Sequence, residues 1–136
     1  MRIRLIRKEN MSRDHLAVLE AKLCYSESLE GDCGPLKAWR AYPRYLYGFL
    51  DLASVQPIAI AEASGRPVSK PGWWIDIDFR GKGYGNELVD LLAAELLADG
   101  VTTIGSIPIQ TPQGRYDTQS RKLVLRLRAH FPQTDA

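Results

Sequence analysis

Cysteine and histidine are scarce in this chain, at two each among 136 residues. Cys24 and Cys33 stand nine apart with no second pair, a spacing that suits neither a zinc site nor a redox motif. Both read as ordinary reduced thiols of a cytoplasmic protein, with no metal expected. Long apolar runs are missing too. None reaches the roughly 18 residues that suggest a membrane span. The start of the chain sets Arg2, Arg4, Arg7 and Lys8 around Ile3, Leu5 and Ile6, which is no signal-peptide core. Charge of one sign is also lacking. A net +2 is too small to argue for nucleic acid by itself. With 45% hydrophobic residues, a chain of this length buries roughly 70% of its unfolded surface without staples. The expectation is one domain over residues 1–136, with no membrane association.

The sharpest chemical statement is the hexapeptide Arg80-Gly81-Lys82-Gly83-Tyr84-Gly85. It lies between an apolar, aromatic run (Trp73, Trp74, Ile75) and a Leu-rich stretch with helical spacing. Strand, glycine turn and helix start make an anion site, because the first N–H groups of a helix lack intrahelical partners and carry partial positive charge. Glycines let that backbone approach a phosphate closely. A P-loop is excluded, since Gly83 rather than a hydroxyl residue follows Lys82. The dinucleotide fingerprint fails as well, because Asn86 stands where its third glycine belongs and no suitably placed carboxylate follows.

Periodicity outlines the rest. Residues 2–7 alternate as a strand with one solvated face. Asn10 or Ser12 can cap a helix over about 12–28, with Leu16, Leu19, Leu23 and Val18 as its stripe. Gly31 and Gly34 break it. A shorter helix starts at Pro35, carries Leu36, Trp39 and Tyr42, and stops at Pro43. Strands are expected over 45–52 and 57–63, joined by a short turn. A turn-rich connector covers 64–72, and a strand covers 73–79. The clearest helix spans about 84–98, with Leu88, Leu91, Leu92 and Leu96 inward and Gly100 as its left-handed end. A strand over 101–109 follows, its end splayed or at an edge because of Pro108. A basic helix closes the series at about 117–130.

Arg80, Gly83 and Gly85 match Arg/Gln-x-x-Gly-x-Gly/Ala. Flanked by a strand and a Leu-rich helix, this segment resembles the acyl-CoA-binding motif of the GCN5-related N-acetyltransferases. The order β-α-α-β-β-β-α-β-α corresponds to the first nine elements of that fold. The fold class is therefore α/β (α+β), a mixed sheet flanked by helices, with the family's usual last two strands not in evidence after Phe131. Covering an exposed sheet edge favours a homodimer.

The resemblance implies acetyl-CoA or coenzyme A as cofactor and a primary amine on a small molecule or protein as acceptor. It implies that main-chain groups near Trp74 and Ile75 pair with the pantetheine arm. The turn, Arg80, Gly81, Lys82, Gly83, Tyr84 and Gly85, would hold the pyrophosphate. The usual proline of the preceding strand is Ile77 here.

Acetyl transfer needs a base for the amine and a donor for the thiolate. Asp76 and Asp78 alternate with Ile75 and Ile77, so both point to one strand face; the plain alternative is a solvated face. Glu62 is a further base candidate on the neighbouring strand, or simply a charged strand end. Glu87 suits the helix dipole alone. The family's tyrosine in the last helix has no counterpart, since Arg126 or Val124 occupies that position, leaving Tyr116 as the candidate donor. Arg121, Lys122, Arg126 and Arg128 could contact the cofactor's 3′-phosphate or an RNA, or form a solvated face. Trp39, Tyr42, Tyr45 and Tyr47 lie where relatives line the acceptor site, but they also suit a core. The leading expectation is an N-acyltransferase. Its rivals are a non-catalytic acyl-CoA-binding module and a nucleic-acid-associated regulator.

Overall fold

Arginine alternating with isoleucine and leucine at the chain start folds as β1, Ile3–Arg7, with Ile3 buried and Arg4 exposed. The computed structural model describes residues 1–41, 45–64, 68–105 and 118–131. After a short 3-10 turn, Ser12 accepts a hydrogen bond from the His15 amide and caps α1, Arg13–Glu30. Leu19 and Leu23 are its buried stripe, while Val18 faces solvent. Gly31, with φ +70°, ends it in the left-handed conformation. Helix α2, Gly34–Ala41, buries Leu36 and Trp39.

The β-rich runs form β2, Tyr45–Asp51, and β3, Gln56–Ser64, followed by β4, Ser69–Ile75. All neighbouring strands pair antiparallel in the order β1-β2-β3-β4. The register sets Ile60 opposite Trp74 and Glu62 opposite Gly72. The described sheet is thus wholly antiparallel; outside it one isolated parallel bridge joins Val68 to Ile104, and the Gly105 amide donates to Val68 O at 2.8 Å beside it. Of the strand expected over 101–109, residues 101–105 form no strand beyond that one bridge, and the remainder, Pro108 included, lies outside the described residues.

Helix α3, Tyr84–Ala98, follows the glycine turn, and α4 spans Thr118–Ala129. Among the described residues, no strand follows α4 and no helix is long and apolar enough to cross a membrane. The sheet separates two apolar layers. On one face α1 and α2 pack Leu19, Leu23 and Trp39 against Leu46, Ile60 and Trp74. On the other, Leu88, Leu92 and Leu96 of α3 and Leu127 of α4 cover Tyr45, Tyr47 and Phe49. Trp39, Tyr45 and Tyr47 are thus core residues on opposite faces and line no common acceptor site. Tyr42 lies outside the described residues.

The strand expected over 73–79 starts earlier and stops sooner, so part of the expected connector belongs to β4. The Asp76 amide makes a last ladder bond to Ile58 O at 2.7 Å. Its carboxylate then accepts the Asp78 amide at 3.3 Å, and the Phe79 amide reaches Asp76 O at 2.8 Å. These bonds fold Ile77–Phe79 into a 3-10 turn. Asp76 and Asp78 therefore do not share a strand face: Asp76 is 8% exposed, whereas Asp78 is open to solvent.

Candidate functional site

Two glycines shape the turn between β4 and α3. Gly81 and Gly83 have φ of +74° and +84°, a region that costs an L side chain about 1–2 kcal/mol. Gly83 is the N-cap of α3 and offers no side chain to its first-turn amides, which therefore point free donors and the helix dipole outward. Open space surrounds Gly81. Gly85 is small for another reason. A Cβ there would lie 3.0 Å from Leu123 of α4, so this glycine lets α4 dock on α3.

The cations of the turn are engaged. Arg80 Nε donates to Ile75 O at 2.7 Å, and its terminal nitrogens bind both oxygens of Glu30 at the end of α1. This pairing holds the Glu30 carboxyl below the usual carboxylate range. Lys82 Nζ donates to Asp78 O at 3.0 Å. A third cation arrives from the residue just before β1. Arg2 donates to Lys82 O at 2.8 Å, pairs with Glu87 and lies over the Tyr84 ring at 4.0 Å. Burial opposes the charge of Glu87, but the N–H groups of Arg2 outweigh it and lower its pKa. Tyr84 itself donates to Asp51 at 3.2 Å. Nothing in the local sequence pattern marks Arg2 for this place, because its partners lie some eighty residues away.

Beside the turn runs the outer edge of β4. Because the Asp76 amide points to β3, the twofold alternation of an antiparallel ladder also turns the main-chain groups of Trp74 inward. Trp73 and Ile75 present theirs outward. The outward main-chain groups on this edge are thus those of Trp73 and Ile75, whereas those of Trp74 face β3. The Trp74 indole donates to Ser26 of α1 at 2.9 Å. Among the described residues, no strand pairs along this edge beyond the bridge at Val68.

The base candidates separate clearly. Asp76 is ion-paired to Lys22 at 2.9 Å and caps the 3-10 turn, so its oxygens are committed to structure. Glu62 is half-buried, has no hydrogen bond or ion pair among the described residues, and burial pushes its pKa up. It leans across Gly72, where an added Cβ would meet Oε1 at 2.9 Å. Only glycine lets this carboxylate reach over β4 toward its open edge. Glu62 and Asp76 lie on one sheet face but about four residues apart in register, roughly 13 Å along the strand. They cannot serve the same atom. Tyr116 lies outside the described residues.

A cavity of about 200 Å³ opens at Glu62 between the start of α2 and strands β3 and β4. A larger one, about 360 Å³, lies between α1 and the end of β4 beside Lys22 and Asp76. In the basic helix, Arg126 binds Asp90 of α3 at 2.7 and 2.9 Å, so it ties two helices together.

An antiparallel sheet with α1 and α2 on one face, α3 and α4 on the other, and a glycine turn from β4 into α3 is the GCN5-related N-acetyltransferase fold. Two solved structures share it. One is a protein assigned as a phosphinothricin N-acetyltransferase, 19% identical, with a TM-score of 0.56 over 91% of this chain and 80% of that one. The other is the ribosomal-protein-S5-alanine acetyltransferase from Vibrio fischeri, 16% identical, with a TM-score of 0.54 over 92% and 76% of the two chains. No protein-family pattern matches this sequence, and no curated protein matches it. At such identities the likeness is one of fold, and the chemistry rests on the residues.

Proposed function

We propose that this protein is an acyl-CoA-dependent N-acyltransferase that moves an acetyl group from acetyl-CoA to a primary amine. The observation that carries this reading is a continuous track. The outward edge of β4 leads from the Gly81–Gly83 turn to the Glu62 carboxylate resting over Gly72. From Ile75 to Gly72 the track is about 10 Å long at ~3.3 Å per residue.

The amides of Gly81, Gly83, Tyr84 and Gly85 are the proposed pyrophosphate cradle, with Arg80, Lys82 and Arg2 adding positive potential. The outward backbone groups of Trp73 and the outward amide of Ile75 suit an extended amide-bearing arm, and the Ile75 carbonyl joins them once Arg80 lets it go. Bound acetyl-CoA supplies an acyl carbon activated as a thioester. Glu62 takes a proton from the incoming ammonium and releases it to solvent; burial strengthens it as a base by raising its pKa. As the N–C bond forms and the C–S bond breaks, the proposed donor Tyr116 protonates the departing thiolate, and the second amine proton, lost from the nitrogen, restores the phenol through solvent.

Calorimetry with acetyl-CoA and a free-thiol assay over an amine panel test this reading. Glu62→Gln is expected to keep cofactor affinity while turnover falls about 10²- to 10⁴-fold. Unchanged turnover would remove Glu62 from the chemistry. Binding without thiol release from any amine would leave a cofactor-binding module.

A further inference from the structure

We propose that the acceptor is a small aliphatic primary amine carrying no carboxylate beside its reacting nitrogen. This inference rests on the acyltransferase reading and specifies the acceptor side of that same site. The cavity at Glu62 has two ionisable groups in its wall, and both are acidic. Glu62 has no partner among the described residues. Asp32, exposed at the mouth of the cavity, is fixed just before α2 by accepting the Gly34 amide on one oxygen at 2.9 Å.

The remaining wall is apolar or glycine, contributed by Pro35, Ala38, Ile60, Trp73, Gly34 and Gly72. No lysine, arginine or histidine among the described residues lines it. An ammonium entering here meets two carboxylates and no competing cation. An α-amino acid brings a third carboxylate beside half-buried Glu62 with no cation among the described lining residues to neutralise it, and like charges at short range repel. Size adds a second restriction. At about 200 Å³ the cavity falls below the usual range for ligand pockets, so it takes the ammonium and a short apolar stem.

The test uses matched pairs that differ only in a carboxylate: 3-methylbutylamine against leucine, and 2-methylpropylamine against valine. With saturating acetyl-CoA, thiol release should show kcat/KM at least tenfold higher for each amine than for its amino acid. Asp32→Asn keeps an oxygen for the Gly34 amide. It is expected to raise KM for the amines severalfold, narrow the gap to the amino acids, and leave the Kd for coenzyme A unchanged. Equal or better use of the amino acids would overturn the acceptor assignment while the acyltransferase reading stands. Unaltered amine KM in Asp32→Asn would remove Asp32 from the site. Failure of both amines and amino acids alike, with coenzyme A still bound, would bring down the acyltransferase reading and this inference with it.

Discussion

Asp90 and Glu62 show how two carboxylates in one small protein meet opposite fates. Asp90 accepts from Arg126 and from His130, and the Arg126 hydrogen bond holds its pKa below the ordinary value. Its contribution to stability is present above its unfolded-state pKa and lost as pH falls through the lower folded value. Glu62 has the reverse sign, because burial raises its pKa with nothing to offset it. The stability tied to this group is fully present below its unfolded-state pKa, near 4.5, and is lost as pH rises through the folded value. Glu62→Gln should therefore raise the melting temperature at pH 8 and leave it nearly unchanged at pH 4. Thermal denaturation at both values checks this, and a lower melting temperature at pH 8 would mean that the carboxylate is held by a favourable partner. If Glu62 is the proposed base, this loss of stability at working pH is the ordinary cost of keeping a poised group half-buried.

Between α1 and the glycine turn, the ion pair of Arg80 with Glu30 holds the guanidinium at the end of the β4 edge. Arg80 also covers Ile75 O, one of the outward groups that an extended ligand would use. Glu30→Gln should free the guanidinium for an anion and tighten coenzyme A binding. The pair is about one-third exposed, so solvent screening limits the gain to about 0.5–1 kcal/mol, or two- to fivefold. Titration calorimetry at low and high salt measures it, and weaker binding would show that Glu30 instead pre-orients Arg80. Elements of this kind were legible in the sequence to different depths. Ser12, Gly31, Gly83 and the Leu stripe of α3 announce their helices through capping and 3.6-residue spacing, which are local signals. The early end of β4 was not legible. Asp76 and Asp78 alternate with isoleucines like a strand, yet Asp76 bonds its own backbone two residues on and a lysine from α1. The glycine turn could be read from spacing alone. Glu62 over Gly72 could not, because only the cross-strand register brings them together, and Arg2 reaches the turn through a contact that no local pattern encodes.

Across the whole molecule, the proposed ligand track runs along an edge of the sheet, whereas stability comes from the two apolar layers on its faces. Binding and folding can therefore be separated by substitution. Saturation with acetyl-CoA at one hundred times its Kd should stabilise the folded state by about 2.7 kcal/mol, roughly 8–10 °C in melting temperature for a domain of this size. Gly83→Val forces a β-branched residue to φ +84°, with a strain of about 1–2 kcal/mol. It also crowds the Arg2 guanidinium, which lies 3.3 Å from the added Cβ position. Helix α3 should nevertheless stay docked, because Leu88, Val89, Leu92, Ala93 and Leu96 are fully enclosed well beyond its first turn. The expected variant melts a few degrees lower, unfolds cooperatively and no longer responds to acetyl-CoA. If it keeps the full ligand-induced shift, the turn is not where the cofactor's phosphates are held. If instead the variant fails to fold, Gly81→Ala makes the same test at a position with φ +74° and open space around it, where only the backbone strain is added.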